Sequence, residues 1–228
     1  MALHITSNKI KAIKARIITT TDINLVGKII VKSSNSLNNI IPKCQHSINI
    51  VQNVANYIEN SMKQNRFTEI DVHSASTDLD YARDIMVSGY EQVELISSAW
   101  GQFATLISRE QTTSNLSKIQ NKINYIYKEV INSPAITDTK EALWDYYQVE
   151  SPNDKEKFGA YLLNSIYESI AKYQSLIKLY SDLARDLLNN SSYIGSVLTA
   201  LNDEQLRGSI PGLQPRVPIQ QQIRNRFL

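Results

Sequence analysis

The sequence predicts a mainly α protein built on an antiparallel coiled coil of its N- and C-terminal helices, and three observations carry that expectation. Near the start, Ile23, Val26, Ile30, Leu37 and Ile40 step by threes and fours, with Ser33 the one polar member. Near the end, Ile166, Ile170, Tyr173, Ile177, Tyr180, Ala184 and Leu187 repeat the same alternation without a gap. An average step of about 3.5 residues is what two helices need to wind around each other. Seven glycines and six prolines in 228 residues are few, which favours long helices over a turn-rich β architecture. The competing reading makes both seams core faces of a compact bundle.

The chain divides into an N-terminal shaft region (1–62), a folded middle (63–152), a C-terminal shaft helix (153–205) and an extended tail (206–228). The first helix starts near Ser7 or Asn8, either of which can cap it, and runs toward Pro42. Gly27 lies inside it and costs about 1 kcal/mol relative to Ala. After Pro42, Ile48, Val51, Val54, Ala55 and Ile58 share one helical face. Residues 66–77 read as loop or a short strand, and 81–88 as helix ended by Gly89. The stretch 92–113 holds Val93, Leu95, Ile96, Trp100, Phe103, Leu106 and Ile107, which fits either a helix or two strands turning near Gly101. Leu116, Ile119, Ile123, Ile126 and Val130 are helically spaced, and Pro134 stops that element. Residues 146–152 read as a short strand entering a turn. The last long helix opens near Asn153 or Asp154, with acidic side chains suited to its positive end, and continues to about Leu188. Beyond Leu201 the regularity fails, and Gly208, Pro211, Gly212, Pro215 and Pro218 cannot sit in a continuous helix.

A formal charge of +2 is too small to argue for nucleic acid. Its distribution says more, because Lys9, Lys11, Lys14 and Arg16 all precede the first acidic residue, Asp22. A basic helical stripe can meet a phosphate, a membrane surface or an acidic protein face, or be an ordinary solvated face. Cys44 is alone, so no intramolecular disulfide forms and a reducing compartment fits. No charge-free apolar run reaches the roughly 18–20 residues of a spanning helix. No secretory signal is expected, and the acid-poor amphipathic start reads equally as an organelle-targeting segment or as part of the mature helix.

No phosphate-cradling G-x-x-x-x-G-K-[ST] or G-x-G-x-x-G loop occurs, and no cofactor is expected. His4, His46 and His73 are scattered, without a metal-ligand spacing. The pairs Asp71/His73 and Cys44/His46 lie two apart but belong to no catalytic signature, and Glu91 and Glu94 read as a solvated pair. No catalytic or metal site is expected.

Three separated patches resemble the gamma subunit of rotary ATP synthases, in the family's order. NKIKAIKARIITTTDINLV (8–26) is similar to the family's opening helix, with Ile10, Ile13, Ile23, Leu25 and Val26 at apolar positions and Lys11 and Lys14 at basic or polar ones. VELISSAWGQFATLISREQTT (93–113) resembles a pair of strands in the family's globular domain, with Phe103, Ser108, Glu110 and Thr112 at corresponding places and Gln111 in place of a Pro. YYQVESPNDKEKFGAYLLNSIYESI (146–170), followed by SDLARD (181–186), resembles the last strand and the start of the C-terminal helix, with Tyr161, Leu162, Asn164, Ile166 and Tyr167 in the matching pattern. Together the patches cover about a third of the chain. The family's first globular strand and Gly-Leu-Cys-Gly region have no counterpart, and only Arg207 and Ile210 answer the family's terminal Arg-Gln-Ala…Ile-Thr segment.

The resemblance implies a small, reduced α/β domain carried on the coiled coil, and a non-catalytic central-stalk rotor. Its partners would be the alpha and beta subunits, a delta- or epsilon-type stalk subunit and the membrane c-ring, on an energy-transducing membrane. It implies that Lys9, Lys11, Lys14, Arg16 and Arg207 face the alpha/beta ring. Ile23, Val26, Ile30, Leu37, Ile166, Ile170, Tyr173, Ile177, Tyr180 and Ala184 would form the shaft seam. Driving one catalytic subunit from 1:99 to 99:1 between two states would take about 5.5 kcal/mol of differential contact. The rival expectation is a non-motor helical interaction protein, such as a filament, capsid or secretion-apparatus subunit. A membrane-active helical toxin ranks below it for want of an insertable segment, and an enzyme ranks last.

Overall fold

A computed structural model describes residues 8–19, 23–64, 66–106, 114–132 and 136–208. Among them the chain forms seven helices and no strand: α1 (Asn8–Thr19), α2 (Ile23–Lys63), α3 (Glu69–Leu106), α4 (Ser114–Asn132), α5 (Ile136–Gln148), α6 (Pro152–Asn189) and α7 (Ser191–Gly208). The mainly α expectation is borne out. The described residues fall into two compact units, one drawn from those within 39–90 and 124–181, the other from those within 8–38, 91–123 and 182–208.

The first unit packs α2, α3 and α6 around a further stave made of the end of α4 (124–132) and α5, and its side-chain contacts give the direction of each element. Cys44 and Tyr57 of α2 meet Ile85 and Asp71 of α3 respectively, so these two helices are antiparallel. Asp80 and His73 of α3 meet Lys140 and Trp144 of α5, again antiparallel. Thr139 faces Ser165, and Tyr146 lies against Gly159, which sets α5 antiparallel to α6. Met62 touches Gly159, and Tyr167 donates to Glu59, which closes the ring between α6 and α2. α6 crosses to α3 over the diagonal, where the Tyr180 hydroxyl donates to the Met86 carbonyl at 3.4 Å. Antiparallel neighbours let four apolar stripes be buried together. The core holds Val51, Val54, Ile58, Leu79, Met86, Leu143, Leu162, Ile166 and Leu176, all nearly inaccessible.

The α2–α3 turn has its own lock. Thr68 caps α3, its backbone N–H donating to Asp71 Oδ2 at 2.7 Å and its hydroxyl to the same oxygen at 2.8 Å. This is the capping box that satisfies otherwise orphaned backbone donors. The Tyr57 hydroxyl adds a donor to Asp71 from α2. These three donors hold the Asp71 carboxyl below its usual range, the Tyr57 bond first among them.

In the second unit, Val26, Ile30 and Leu37 of α2 are buried, as are Val93, Ile96, Ala99, Trp100 and Phe103 of α3 and Ile119 and Ile123 of α4. Leu183, Ala184 and Leu187 of α6, and Ile194 and Val197 of α7, complete its apolar core. Lys122 of α4 reaches Asp186 of α6 at 2.5 Å.

Several expectations need correction. The strand pair placed within 93–113 is not found: 93–106 belong to α3, and 107–113 lie outside the described residues. Val93, Ile96, Trp100 and Phe103 recur every three or four residues and are all buried, a helical period. The strand placed at 146–152 is also absent, because 146–148 end α5, 149–151 are irregular and Pro152 opens α6. Proline suits a first helical turn, where its missing N–H has no partner to lose. The loop placed at 66–77 ends at Thr68. The middle segment 63–152 therefore supplies helices, and no α/β domain appears among the described residues. α2 continues through Pro42, although a mid-helix proline costs about 3 kcal/mol, because its apolar face is buried on either side, at Leu37, Cys44 and Ile48. α7 carries the helix to Gly208; the remainder of the expected tail, 209–228, lies outside the described residues.

Gly89 does not stop α3, and its role is spatial. An ideal Cβ there would stand 2.7 Å from Cε2 of the Tyr180 ring, whereas one at Gly101 meets nothing within 4 Å. Gly89→Ala should therefore lose about 1–2 kcal/mol in urea unfolding despite its better helix propensity. Gly101→Ala should gain about 0.5–1 kcal/mol. Equal stabilisation by both substitutions would contradict this packing.

Candidate functional site

The basic N-terminal helix is the surface that the sequence singles out. In α1, Ile10 and Ile17 are buried seven residues apart, Ile13 is half-buried, and Lys11, Ala12, Ala15 and Arg16 are exposed. Five residues of α-helix turn Lys11 and Arg16 about 140° apart. The two cations therefore flank the apolar stripe from opposite sides and do not form one row. Lys14 is committed elsewhere: its ammonium meets Glu94 Oε1 of α3 at 3.0 Å, and Glu94 is buried. The backbones of Lys9 and Arg207 are helical, and their side chains lie outside the described residues. Of the five expected ring-facing cations, Lys11 and Arg16 are thus shown on the surface, and Lys14 is a packing residue.

The seam residues are core residues. Val26, Ile30, Leu37 and Ala184 are buried in the second unit, and Ile166, Ile170, Tyr173, Ile177 and Tyr180 in the first. The side chain of Ile23 lies outside the described residues. In the first unit the seam is shared: Tyr180 packs on Gly89 of α3, and Tyr173 lies within electrostatic reach of Arg83 and Asp84 of the same helix. Burial pushes both phenols far above their ordinary range, an effect the Arg83 charge partly offsets at Tyr173. The Tyr173 hydroxyl is buried without a hydrogen-bond partner among the described residues. A third helix covering the seam is the mark of a bundle core.

Sequence reasoning missed a cleft between α2 and α3 in the first unit. Its volume is about 560 Å³. Ile40, Pro42, Lys43 and His46 line it from α2, and Tyr81, Ile85 and Ser88 from α3. Tyr81 is 56% exposed, high for a side chain of its size. Pro42 inside a helix was the available signal, since a proline there removes a hydrogen bond and disturbs the ladder. Cys44 sits on the buried side of α2 with its thiol directed at the Ile85 carbonyl, 3.9 Å away. Burial raises that thiol from 9.0 to about 11. No group of three or more His, Cys, Asp or Glu side chains suited to a metal occurs among the described residues.

Two measurements check this geometry. Lys14→Glu should cost about 2 kcal/mol or more in urea unfolding, because it leaves Glu94 buried against a like charge, while Lys11→Glu should stay within about 0.5 kcal/mol of wild type. Equal effects at the two positions would contradict the pairing of Lys14 with a buried carboxylate. At pH 8 the Cys44 thiol should resist maleimide in the folded protein and react at once in urea, since only the thiolate attacks. Its contribution to stability is present below pH 9.0 and falls as pH rises toward about 11, because the unfolded chain loses that proton first. Rapid labelling of the native protein would overturn both statements.

No family model, curated protein or solved structure matches the chain.

Proposed function

We propose that this chain is a non-catalytic stalk-type subunit of a rotary ATPase, in which the N- and C-terminal helices provide the axle and the middle helices brace it. The observation that carries this reading is the antiparallel course of α2 and α6, with Met62 against Gly159 and Glu59 bonded to Tyr167. The opening helix adds support, since its Ile10, Lys11, Ile13 and Lys14 are the residues that resemble the gamma subunit. In this reading the finer coiled-coil pairing belongs to the N- and C-terminal seams. Lys11 and Arg16, with Lys9 and Arg207, would face acidic elements of an alpha/beta ring. The remainder would rest on a c-ring with a delta- or epsilon-type stalk subunit.

One observation favours a second reading. α3 lies along Tyr173 and Tyr180, so the C-terminal seam is covered by the chain's own middle as well as by α2. That arrangement suits a non-motor helical interaction protein whose bundle is complete by itself.

Affinity purification of the tagged chain from its native membranes should separate the two. A stalk brings down alpha and beta subunits at a single copy per ring, and ATP hydrolysis in that complex becomes uncoupled from ion movement when Lys11→Glu and Arg16→Glu are combined. Recovery of the chain without alpha and beta subunits, or unchanged coupling in the double variant, would refute the stalk assignment.

A further inference from the structure

We infer that the outer face shared by α3 and α5 in the first unit docks the proline- and arginine-bearing segment 215–226 of a second copy of this chain.

The face is aromatic at its centre. The His73 ring of α3 meets the Trp144 ring of α5 edge to face at 5.2 Å, and Trp144 meets Tyr147 at 6.0 Å. Trp144 and Tyr147 are half-buried, His73 is exposed, and Ile70, one turn before His73, is 79% exposed. No other large apolar side chain among the described residues is so open to solvent. A lone exposed isoleucine needs no explanation, but one set a helical turn from a row of rings extends an apolar surface.

Its rim is acidic. Glu69, Asp80 and Asp84 stand on α3 and Glu141 and Asp145 on α5, five carboxylates against the two cations Arg83 and Lys140. Both cations are already bonded, Arg83 to Asp80 at 3.1 Å and Asp84 at 3.0 Å, and Lys140 to Asp80 at 2.6 Å. Glu69 has the His73 ring 3.8 Å away. Glu141 and Asp145 are exposed and enter no ion pair or hydrogen bond among the described residues. Lys63 and Arg66 belong to neither helix. A surplus of three negative charges around an apolar strip selects a cationic segment.

The chain beyond α7 has the matching chemistry. Residues 209–228 hold Arg216, Arg224 and Arg226 and no Asp or Glu, three charges for three. Pro215, Arg216, Val217 and Pro218 make a P-x-x-P sequence with an arginine inside it. That pattern fits polyproline II, which docks on aromatic-lined surfaces at small entropic cost. At about 3.1 Å per residue, Arg216 and Arg224 lie about 25 Å apart, close to the roughly 22 Å of α3 between Glu69 and Asp84. The acid-free N-terminal helix is the rival source of cations, but its apolar stripe is buried within the second unit, at Ile10 and Ile17. Only seven residues, about 25 Å of extended chain, separate Gly208 from Pro215, and α7 belongs to the second unit. A second copy brings the same residues to the face free of that leash, in a heterologous, head-to-tail contact. The inference goes beyond both functional readings and depends on neither.

Photo-crosslinking of the purified full chain tests it. Ile70→p-benzoylphenylalanine sets the probe at the most exposed position of the face, and circular dichroism verifies that each variant folds. In an equal mixture of isotopically light and heavy chains the adduct should join light to heavy, with the crosslinked peptide inside 213–228. Glu141→Arg with Asp145→Arg should lower the yield about ten-fold, and so should Arg216→Glu with Arg224→Glu. Combining the four reversals should restore it, which neither misfolding nor unspecific adhesion can do. The same probe in the native host should give the same adduct. An adduct confined to one copy, one mapping outside 213–228, or a different protein, lipid or nucleic acid captured in the host would overturn the inference. So would the lack of any adduct, or a yield indifferent to the reversals or not recovered when they are combined.

Discussion

The first unit depends on the contact between the Tyr180 ring and the bare backbone of Gly89. Tyr180 is wholly buried, yet it belongs to α6 and reaches across the diagonal of the bundle to α3. Diagonal helices in a four-helix bundle stand too far apart for small side chains to touch, so a large residue on one must meet a small one on the other. Gly89 removes the Cβ that would otherwise stand inside the ring, and the Met86 carbonyl one turn earlier receives the hydroxyl. The pair fixes both the separation of α3 and α6 and their axial register. Tyr173, two turns before Tyr180, faces Arg83 and Asp84, two turns before Tyr90. With the register set, the seam of α6 is occupied by α3 as well as by α2.

The corners of the bundle are specified differently, by half-exposed ion pairs and by one buried cluster of hydroxyls. Asp80–Lys140 joins α3 to α5, Glu129–Lys172 joins α4 to α6, and Thr139 shares hydroxyl hydrogen bonds with Ser165 and Ser169 of α6. Half-exposed ion pairs of this kind contribute about 0–1 kcal/mol each, too little to drive folding. Their value lies in discrimination: a bundle of four apolar stripes can be threaded in more than one order, and misplaced pairs would set like charges together. The tyrosines act in the same way. Tyr90 and Tyr127 meet edge to face between α3 and α4, and Phe67 and Tyr146 do so between the α2–α3 turn and α5. Both polar and aromatic contacts therefore select one arrangement from several that would bury similar apolar area.

The sequence disclosed burial better than it disclosed partners. Every seam residue with a described side chain is buried or, at Ile40, half-buried, because a step of threes and fours marks the inward face of a helix whatever covers it. Periodicity carries no information on how many helices share that face, so a two-helix shaft and a four-helix bundle read alike. The strands expected within 93–113 failed for a related reason. Val93, Glu94, Leu95 and Ile96 are all buried in succession, and a helix covered over so wide an arc loses the alternation that distinguishes it from a strand. The capping box at Thr68 and Asp71 is legible in principle as T-x-x-D ahead of an apolar run, but the polar composition of 66–77 favours a loop or short strand over a helix start. Lys14 shows the opposite limit. Four cations close together in sequence look like a surface, and only the position of Glu94, eighty residues away in sequence, shows that one of them, half-buried, is paired with a buried carboxylate.

That ion pair also bears on what the N-terminal helix can offer to a partner. Glu94 is buried, and a buried carboxylate must be compensated, so Lys14 is held in place by a need internal to the fold. Lys11 and Arg16 then present charge on two flanks of α1, separated by a third or more of the helix circumference. A ring that encloses the helix can use both flanks at once, whereas a flat partner can reach one. The split of charge around α1 is therefore what an enclosing partner would exploit, and it is the feature by which the axle reading and the self-sufficient bundle make different demands on the same two residues. On an axle both flanks are used in turn as the surrounding subunits change state. On a free-standing bundle no partner reads either flank, and reversing the exposed Lys11 charge would leave assembly unchanged.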